Sequence, residues 1–236
     1  MPYTKTIVCL ANSRKLAGRC VAGKEWDGLK FGAWCRPVSG RTEWGELSAE
    51  RWYRRTWRDP QLLDVLQVGL LAPRPSSFQV ENHWIDHSFR WKFLGRVSAA
   101  QLLGGLDRPA GPLWVNGEST SGGLNDRVRA DLADRQTYSL LLIQPDQLTV
   151  TIGMEGAGTE IPRRRVRGSF SLNGHDYRLS ITDPVIEAPM KRQPDGYSMD
   201  LRKPILCISL SEKFAAQNAC YKLVAGIVHT QAQTQP

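Results

Sequence analysis

The sequence predicts a mostly β protein, and three observations carry that reading. Short hydrophobic runs recur along the chain, parted by Gly, Pro, Asn, Asp and Ser at intervals of roughly 8–15 residues, the spacing of sandwiches and small barrels. Asn173-Gly174 stands between two alternating runs, Ser169–Leu172 and His175–Ile181, which is the preferred chemistry of a type I′ hairpin turn. Helical patterns are few and short.

In chain order, Thr6–Leu10 and Arg19–Ala22 are the first two predicted strands, parted by Asn12-Ser13-Arg14-Lys15 and Gly18. Leu29–Trp34 follows the turn formers Asp27-Gly28, and Leu62–Leu70 is a longer apolar run. Phe78–Trp84 and Phe89–Leu94 complete the first half; Phe89, Trp91 and Phe93 share one strand face, with Arg90 and Lys92 on the other. Tyr138–Ile143, Leu148–Gly153, Val166–Leu172, Tyr177–Ile181 and Ile205–Leu210 continue the pattern. Cys220–Val228 is a final strand or a buried helix, and periodicity does not decide between them. Ser48 caps a predicted helix through Trp57, and Ser98 another through Leu103, ended by Gly104-Gly105. Glu187–Lys203, with Pro189, Pro194 and the adjoining Pro204, reads as a long charged loop, and Thr230–Pro236 as a fraying tail.

A chain of 236 residues accommodates one large domain or two. Asp107–Gly123 is its richest Pro/Gly/Ser stretch, and composition changes across it. Up to Val115 there are 17 Lys and Arg against 10 Asp and Glu, a balance of +7; the remainder of the net +8 is +1. All eight tryptophans lie between Trp26 and Trp114. The expected domains are therefore 1–110, basic and Trp-rich, and 111–236. A basic excess sharing one half with large aromatic surfaces points to a polyanionic partner. No run approaches the roughly 18 apolar residues of a membrane span. The N-terminus lacks a signal-peptide pattern. The protein is thus expected in the cytoplasm, with no membrane partner. Its five cysteines form no C-x-x-C pair and read as reduced core residues.

Three catalytic or ligand-binding patterns are incomplete. Gly18-x4-Gly23-Lys24 lacks the Ser or Thr that a phosphate-binding loop needs next, having Glu25 there, and no long helix follows. His83 and His87 would have i, i+4 metal spacing on a helix but stand roughly 13 Å apart on the predicted strand; with only two other histidines to complete a shell, neither metal nor cofactor is expected. Cys20 beside Arg19 has no histidine near it in sequence; no catalytic residue is assigned.

Cationic clusters remain. Ser13, Arg14, Lys15, Arg19 and Lys24 crowd the first two strands, and Trp34 and Arg36 interleave an aromatic with a cation. On a helix, Arg51, Arg54, Arg55 and Arg58 fall within about 100° of arc opposite Trp52, Tyr53 and Trp57. Arg163, Arg164 and Arg165 lead into the Asn-Gly hairpin. Each is either a solvated face or a phosphate-contacting ridge.

Taken together, Ile7–Lys15, Gly18–Gly23, Trp34-x-Arg36-Pro-Val-Ser39, Asn125-Asp126-Arg127-Val128, Tyr177–Pro184 and Cys220–Ala225 resemble the dual OB-fold-containing domain family of prokaryotes. The resemblance spans nearly the whole chain and implies two tandem OB-like β-barrels with a few short helices. It implies a nucleic-acid-recognising module associated with conflict and antiphage systems, and adds Asn125 and Arg127 to the candidate contacts. OB barrels hold single strands across one sheet face and its loops. The expectation is a non-catalytic binder of single-stranded RNA or DNA, with a protein effector from the same locus as a possible partner. The rivals are an adaptor whose tryptophan-rich surface meets protein, and an RNA- or nucleotide-processing enzyme using Asn12–Lys15 with Asn125–Arg127.

Overall fold

The computed structural model describes residues 1–15, 18–41, 58–156 and 162–229. They form two compact units, Met1–Leu106 with Thr137–Leu140, and Asp107–Gln136 with the chain from Leu141 onward.

The first unit contains β1 (Tyr3–Lys15), β2 (Gly18–Trp26), β3 (Phe31–Val38), β4 (Asp64–Pro73), β5 (Asn82–Ile85) and β6 (Lys92–Arg96). Hydrogen bonding runs β1-β2-β3-β5-β4, and β4 returns to β1 from Tyr3↔Leu70 to Val8↔Val65, closing a five-stranded barrel. Within it, β3 and β5 run parallel and the other neighbours antiparallel, while β6 lies along the N-terminal half of β4. Apolar residues on the inward positions, among them Ile7, Cys9, Val21, Leu66, Val68, Leu70 and Ile85, fill the barrel and are fully buried.

β1 outruns its apolar stretch because Asn12 to Lys15 pair with Val21 to Gly18 across the hairpin. Ladder bonds thus extend a strand that hydrophobicity alone would end at Leu10. Conversely, Phe89–Leu94 is not one strand. Trp91 is a fully buried core residue reached before β6 begins, while Phe93 is 45% exposed. Phe89 packs on Gly69, where a Cβ would sit 2.3 Å from the Phe89 Cβ. The helix expected from Ser98 is one 3-10 turn, Gln101–Gly105. Gln101 N donates to Ser98 Oγ and Ser98 N to Gln101 Oε1, at 3.2 and 2.8 Å, a reciprocal cap. The helix expected over Ser48–Trp57 lies outside the described residues.

The second unit contains β7 (Arg127–Arg129), α1 (Ala130–Ala133), β8 (Leu140–Ile143), β9 (Gln147–Glu155), β10 (Arg163–Leu172), β11 (His175–Ile181), α2 (Pro184–Met190), β12 (Ser198–Arg202), β13 (Ile205–Leu210) and β14 (Ala219–Val228). The sheet order is β12-β9-β10-β11-β14-β13-β8, with β7 also on β14 and with β11 and β14 parallel. Only Gln144-Pro145-Asp146 separates β8 from β9. Read as one strand interrupted at Pro145, which has no N–H to give a ladder, β8/β9 makes this the same order as the first barrel. The parallel pair β11–β14 takes the place of β3–β5. The protein is a mostly β chain of two OB-like sheets, an architectural repeat.

Asn173 and Gly174 have φ of 52° and 76° and join Leu172 to His175, as their chemistry predicts. Cys220–Val228 belongs to strand β14. Glu187–Lys203, expected to be a loop, instead holds the end of α2 and all of β12. Asp183 caps α2 by accepting from Val185 N at 2.9 Å, and Pro184 sits at its first position. β12 is an edge strand paired only with β9, and Leu201 alone is buried in it, so it carries little hydrophobic alternation.

Candidate functional site

The cations of the first hairpin converge by register. Arg14 pairs across the ladder with Arg19, and Lys15 with Gly18. Arg14 is exposed, whereas Lys15 and Arg19 are half-buried. Arg19 Nε lies 4.0 Å from Asp59. Register thus gathers three cationic side chains at this end of the barrel, with Asp59 beside one of them. Ser13 is buried, its hydroxyl 3.5 Å from the Cys20 carbonyl.

Other candidates in this unit are turned to its own framework. Lys24, 7% exposed, donates to the Gly105 carbonyl at 2.8 Å, with its ammonium 5.3 Å from the Trp34 ring centre. Trp34 itself is half-buried. Arg36, 3% exposed, reaches Glu81 at 2.9 Å, Ser139 at 2.9 Å and Asn82 at 3.2 Å; Ser139 in turn bonds Glu81. Arg58 sits 3.2 Å from the fully buried Asp64, which Arg96 also holds, and stacks 5.4 Å from the Phe93 ring. Arg51, Arg54 and Arg55 lie outside the described residues. Of the tryptophans on which base stacking depends, Trp91 and Trp114 are buried, and Trp26, Trp34 and Trp84 are half-buried.

In the second unit, Arg163, Arg164 and Arg165 open β10. Because β9–β10 stands where β1–β2 stands in the first barrel, this cluster occupies the same hairpin of its sheet as Arg14, Lys15 and Arg19. Arg163 is exposed, and exposed Arg165 touches Glu155 at 3.3 Å. Arg164 faces away, donating to the Lys191 and Gln193 carbonyls and to Asp195 at 2.9 Å. Asn125, with φ of 50°, staples its loop through Gly117 N and the Asp176 carbonyl, and Arg127 pairs with Glu118 at 3.0 Å.

A buried polar constellation in the second unit went unread in the sequence. Arg167, 4% exposed, donates to both Glu155 oxygens at 2.7 and 2.9 Å, to Asp126 at 2.8 Å and to Thr120 at 3.2 Å. Asp126 also accepts from Thr120 N and Oγ1, at 2.7 and 2.6 Å. Beside it, the fully buried Lys222 donates to Asn116 at 2.7 Å and stands 5.3 Å from the Tyr177 ring centre. Burial pushes the Lys222 ammonium down to about 7, against the pull of Asp126. The Tyr177 hydroxyl accepts from Leu113 N at 2.8 Å and from Asn116. Arg167 continues the basic run Arg163–Arg165 and shares its strand face with exposed Arg163 and Arg165, so no signal in the sequence set it apart as the buried one. Arg167, Asp126, Lys222 and Tyr177 are buried, and their bonds hold the Pro/Gly-rich segment onto the sheet.

Burial pushes the thiols of Cys35 and Cys220 up to about 12 and about 11, which suppresses the thiolate that nucleophilic chemistry needs. Gly18–Lys24 forms part of strand β2, and His83 is bonded to the Tyr3 hydroxyl. Among the described residues, no helix is long and apolar enough to cross a membrane.

No curated protein and no solved structure matches the chain. A family model does, over residues 5–227, and its two-barrel content agrees with the two sheets of shared strand order. The chain belongs to the dual OB-containing domain family.

Proposed function

We propose that the protein binds single-stranded nucleic acid without performing chemistry on it, and that the β1–β2 hairpin of the first barrel is the principal contact. One observation carries this reading: both sheets bring cations to the same hairpin, exposed Arg14 with half-buried Lys15 and Arg19 in one, exposed Arg163 and Arg165 in the other. In OB barrels that hairpin borders the face where a strand lies. Its cations meet phosphates rather than bases, so they support binding to either RNA or DNA. The wider setting, a prokaryotic conflict system in the cytoplasm with a protein effector from the same locus, follows the family resemblance and is proposed with it.

Fluorescence anisotropy with labelled single-stranded RNA, single-stranded DNA and duplex, over a range of salt, tests the reading. Three phosphates neutralised at the first hairpin contribute about −2.1 to the log–log salt slope on a single strand. The Arg14→Ala/Lys15→Ala pair removes two of those contacts and flattens the slope by about 1.4. Binding that is absent for all three probes, or that ignores salt, refutes the proposal.

A further inference from the structure

At the tip of the β2–β3 hairpin lies a depression of about 480 Å³, bordered by Trp26, Lys30, Phe31, Gln101 and Gly104. That size falls in the range of small-ligand sites, roughly 300–1,000 Å³. Trp26 and Phe31 are cross-strand partners whose ring centres lie 4.6 Å apart at an interplanar angle of 46°. Both are half-buried, so each is partly open to solvent. Phe31 is seated on Gly105, where a Cβ would come within 2.8 Å of its ring, and Lys24 ties the Gly105 carbonyl down from the other strand. The tip is held as well: Asp27 Oδ1 accepts from Leu29 N at 2.8 Å and Lys30 N at 2.7 Å, and those two bonds hold its carboxyl below the usual range. Gln101 has its carbonyl committed to Ser98, which leaves its amide hydrogens as the donating end. At Gly104 an added Cβ would meet nothing within 4 Å.

An aromatic pair, a fixed amide donor and an exposed ammonium in one cavity match the three parts of a nucleotide: a flat base, its ring acceptors and its phosphate. We propose that this depression holds one unstacked nucleotide, with the base against Trp26 and Phe31, Gln101 donating to a ring acceptor and Lys30 contacting phosphate. The proposal rests on the single-strand reading and adds to it a defined base site, apart from the sequence-independent contacts of Arg14 and Lys15. The positive balance of the first half of the chain favours this occupant over an apolar side chain of a partner protein.

The test uses the full chain and fluorescein-labelled single-stranded oligonucleotides, intact or carrying one abasic nucleotide. Gly104→Leu fills the cavity from a position with open space, and a thermal melt matching that of the native chain verifies its fold. Gly104→Leu and Trp26→Leu should each weaken binding by roughly 5- to 150-fold, the range for one stacked base. Their salt slope should stay unchanged, since stacking displaces no counterion, whereas Lys30→Gln should flatten it by about 0.7. An abasic nucleotide should weaken the native chain similarly and cost Gly104→Leu nothing further. Suppose a folded Gly104→Leu binds as tightly as the native chain to an oligonucleotide that Arg14→Ala/Lys15→Ala weakens. The base site is then overturned and the single-strand reading stands. A native chain that binds no oligonucleotide overturns both.

Discussion

Replacing Arg167 by leucine isolates what the buried charge network of the second sheet contributes. The guanidinium makes four hydrogen bonds, to Asp126, to both oxygens of Glu155 and to Thr120. Without it, Asp126, 2% exposed, keeps the two Thr120 donors but loses its countercharge. Glu155 fares better, because its side chain is 18% exposed and Arg165 remains 3.3 Å away. Breaking a buried pair by removing one partner costs about 3–5 kcal/mol; the residual partners place Arg167→Leu near the lower end, about 3 kcal/mol. At a urea dependence of about 2 kcal/mol per molar, that moves the unfolding midpoint down by about 1.5 M. Urea titration followed by circular dichroism measures it. The added changes Asp126→Asn and Glu155→Gln should recover part of the loss, since the penalty comes from stranded charge rather than lost volume. If Arg167→Leu unfolds within about 0.5 kcal/mol of the native chain, or the neutralised triple variant is no better than the single, the network is solvent-screened and the reasoning fails.

Two further perturbations probe the same unit. Lys222 releases its proton at about 7 in the folded chain against 10.5 when unfolded. Between those values the unfolded state binds one more proton, so stability rises with pH, by about 1.4 kcal/mol per unit. The cleanest window is pH 7 to 9, before the raised thiols of Cys35 and Cys220 begin to oppose it, and Lys222→Met should flatten the rise in urea melts across that window. Gly123→Ala places a Cβ 1.9 Å from Asp126 Oδ2, forcing the carboxylate off its donors, and should lower stability by about 1–3 kcal/mol. Gly153→Ala meets nothing within 4 Å and serves as the control that should lose none of it in the same melt.

The strands that the sequence made legible are those whose apolar residues face a core. Val166–Leu172 and Tyr177–Ile181 with their Asn-Gly turn could be read directly, because local turn chemistry and alternation agree. β12 could not, because an edge strand with one buried residue is held by its backbone pairing to β9. The shared strand order was equally hidden: it lies in which strands pair, and the break at Pro145 splits one of them. Among candidate contacts, Arg14 and Arg36 look alike in sequence, as arginines in polar-apolar runs. Only the partner strands show that one is exposed at a hairpin and the other enclosed by Glu81, Asn82 and Ser139.

That contrast separates scaffold from recognition along the chain. Several residues in the stretches that carry the family resemblance, Arg36, Asn125, Asp126, Tyr177 and Lys222, are bonded within their own unit, and four of the five are buried. Their bonds fix strands, the Pro/Gly-rich segment and the charge balance of the interior, all of which a barrel needs whatever its ligand. The groups proposed to meet a ligand stand elsewhere, on the hairpin ends around Arg14 and Arg163 and at the Trp26–Phe31 tip. Hairpin positions of this kind tolerate substitution, because they contribute little buried apolar area. On the proposed reading, affinity can therefore be altered at Lys30 or Arg163, and base preference at Gln101, with little effect on the fold. A change at Asp126 or Arg167 would instead destabilise the fold on which any such preference depends.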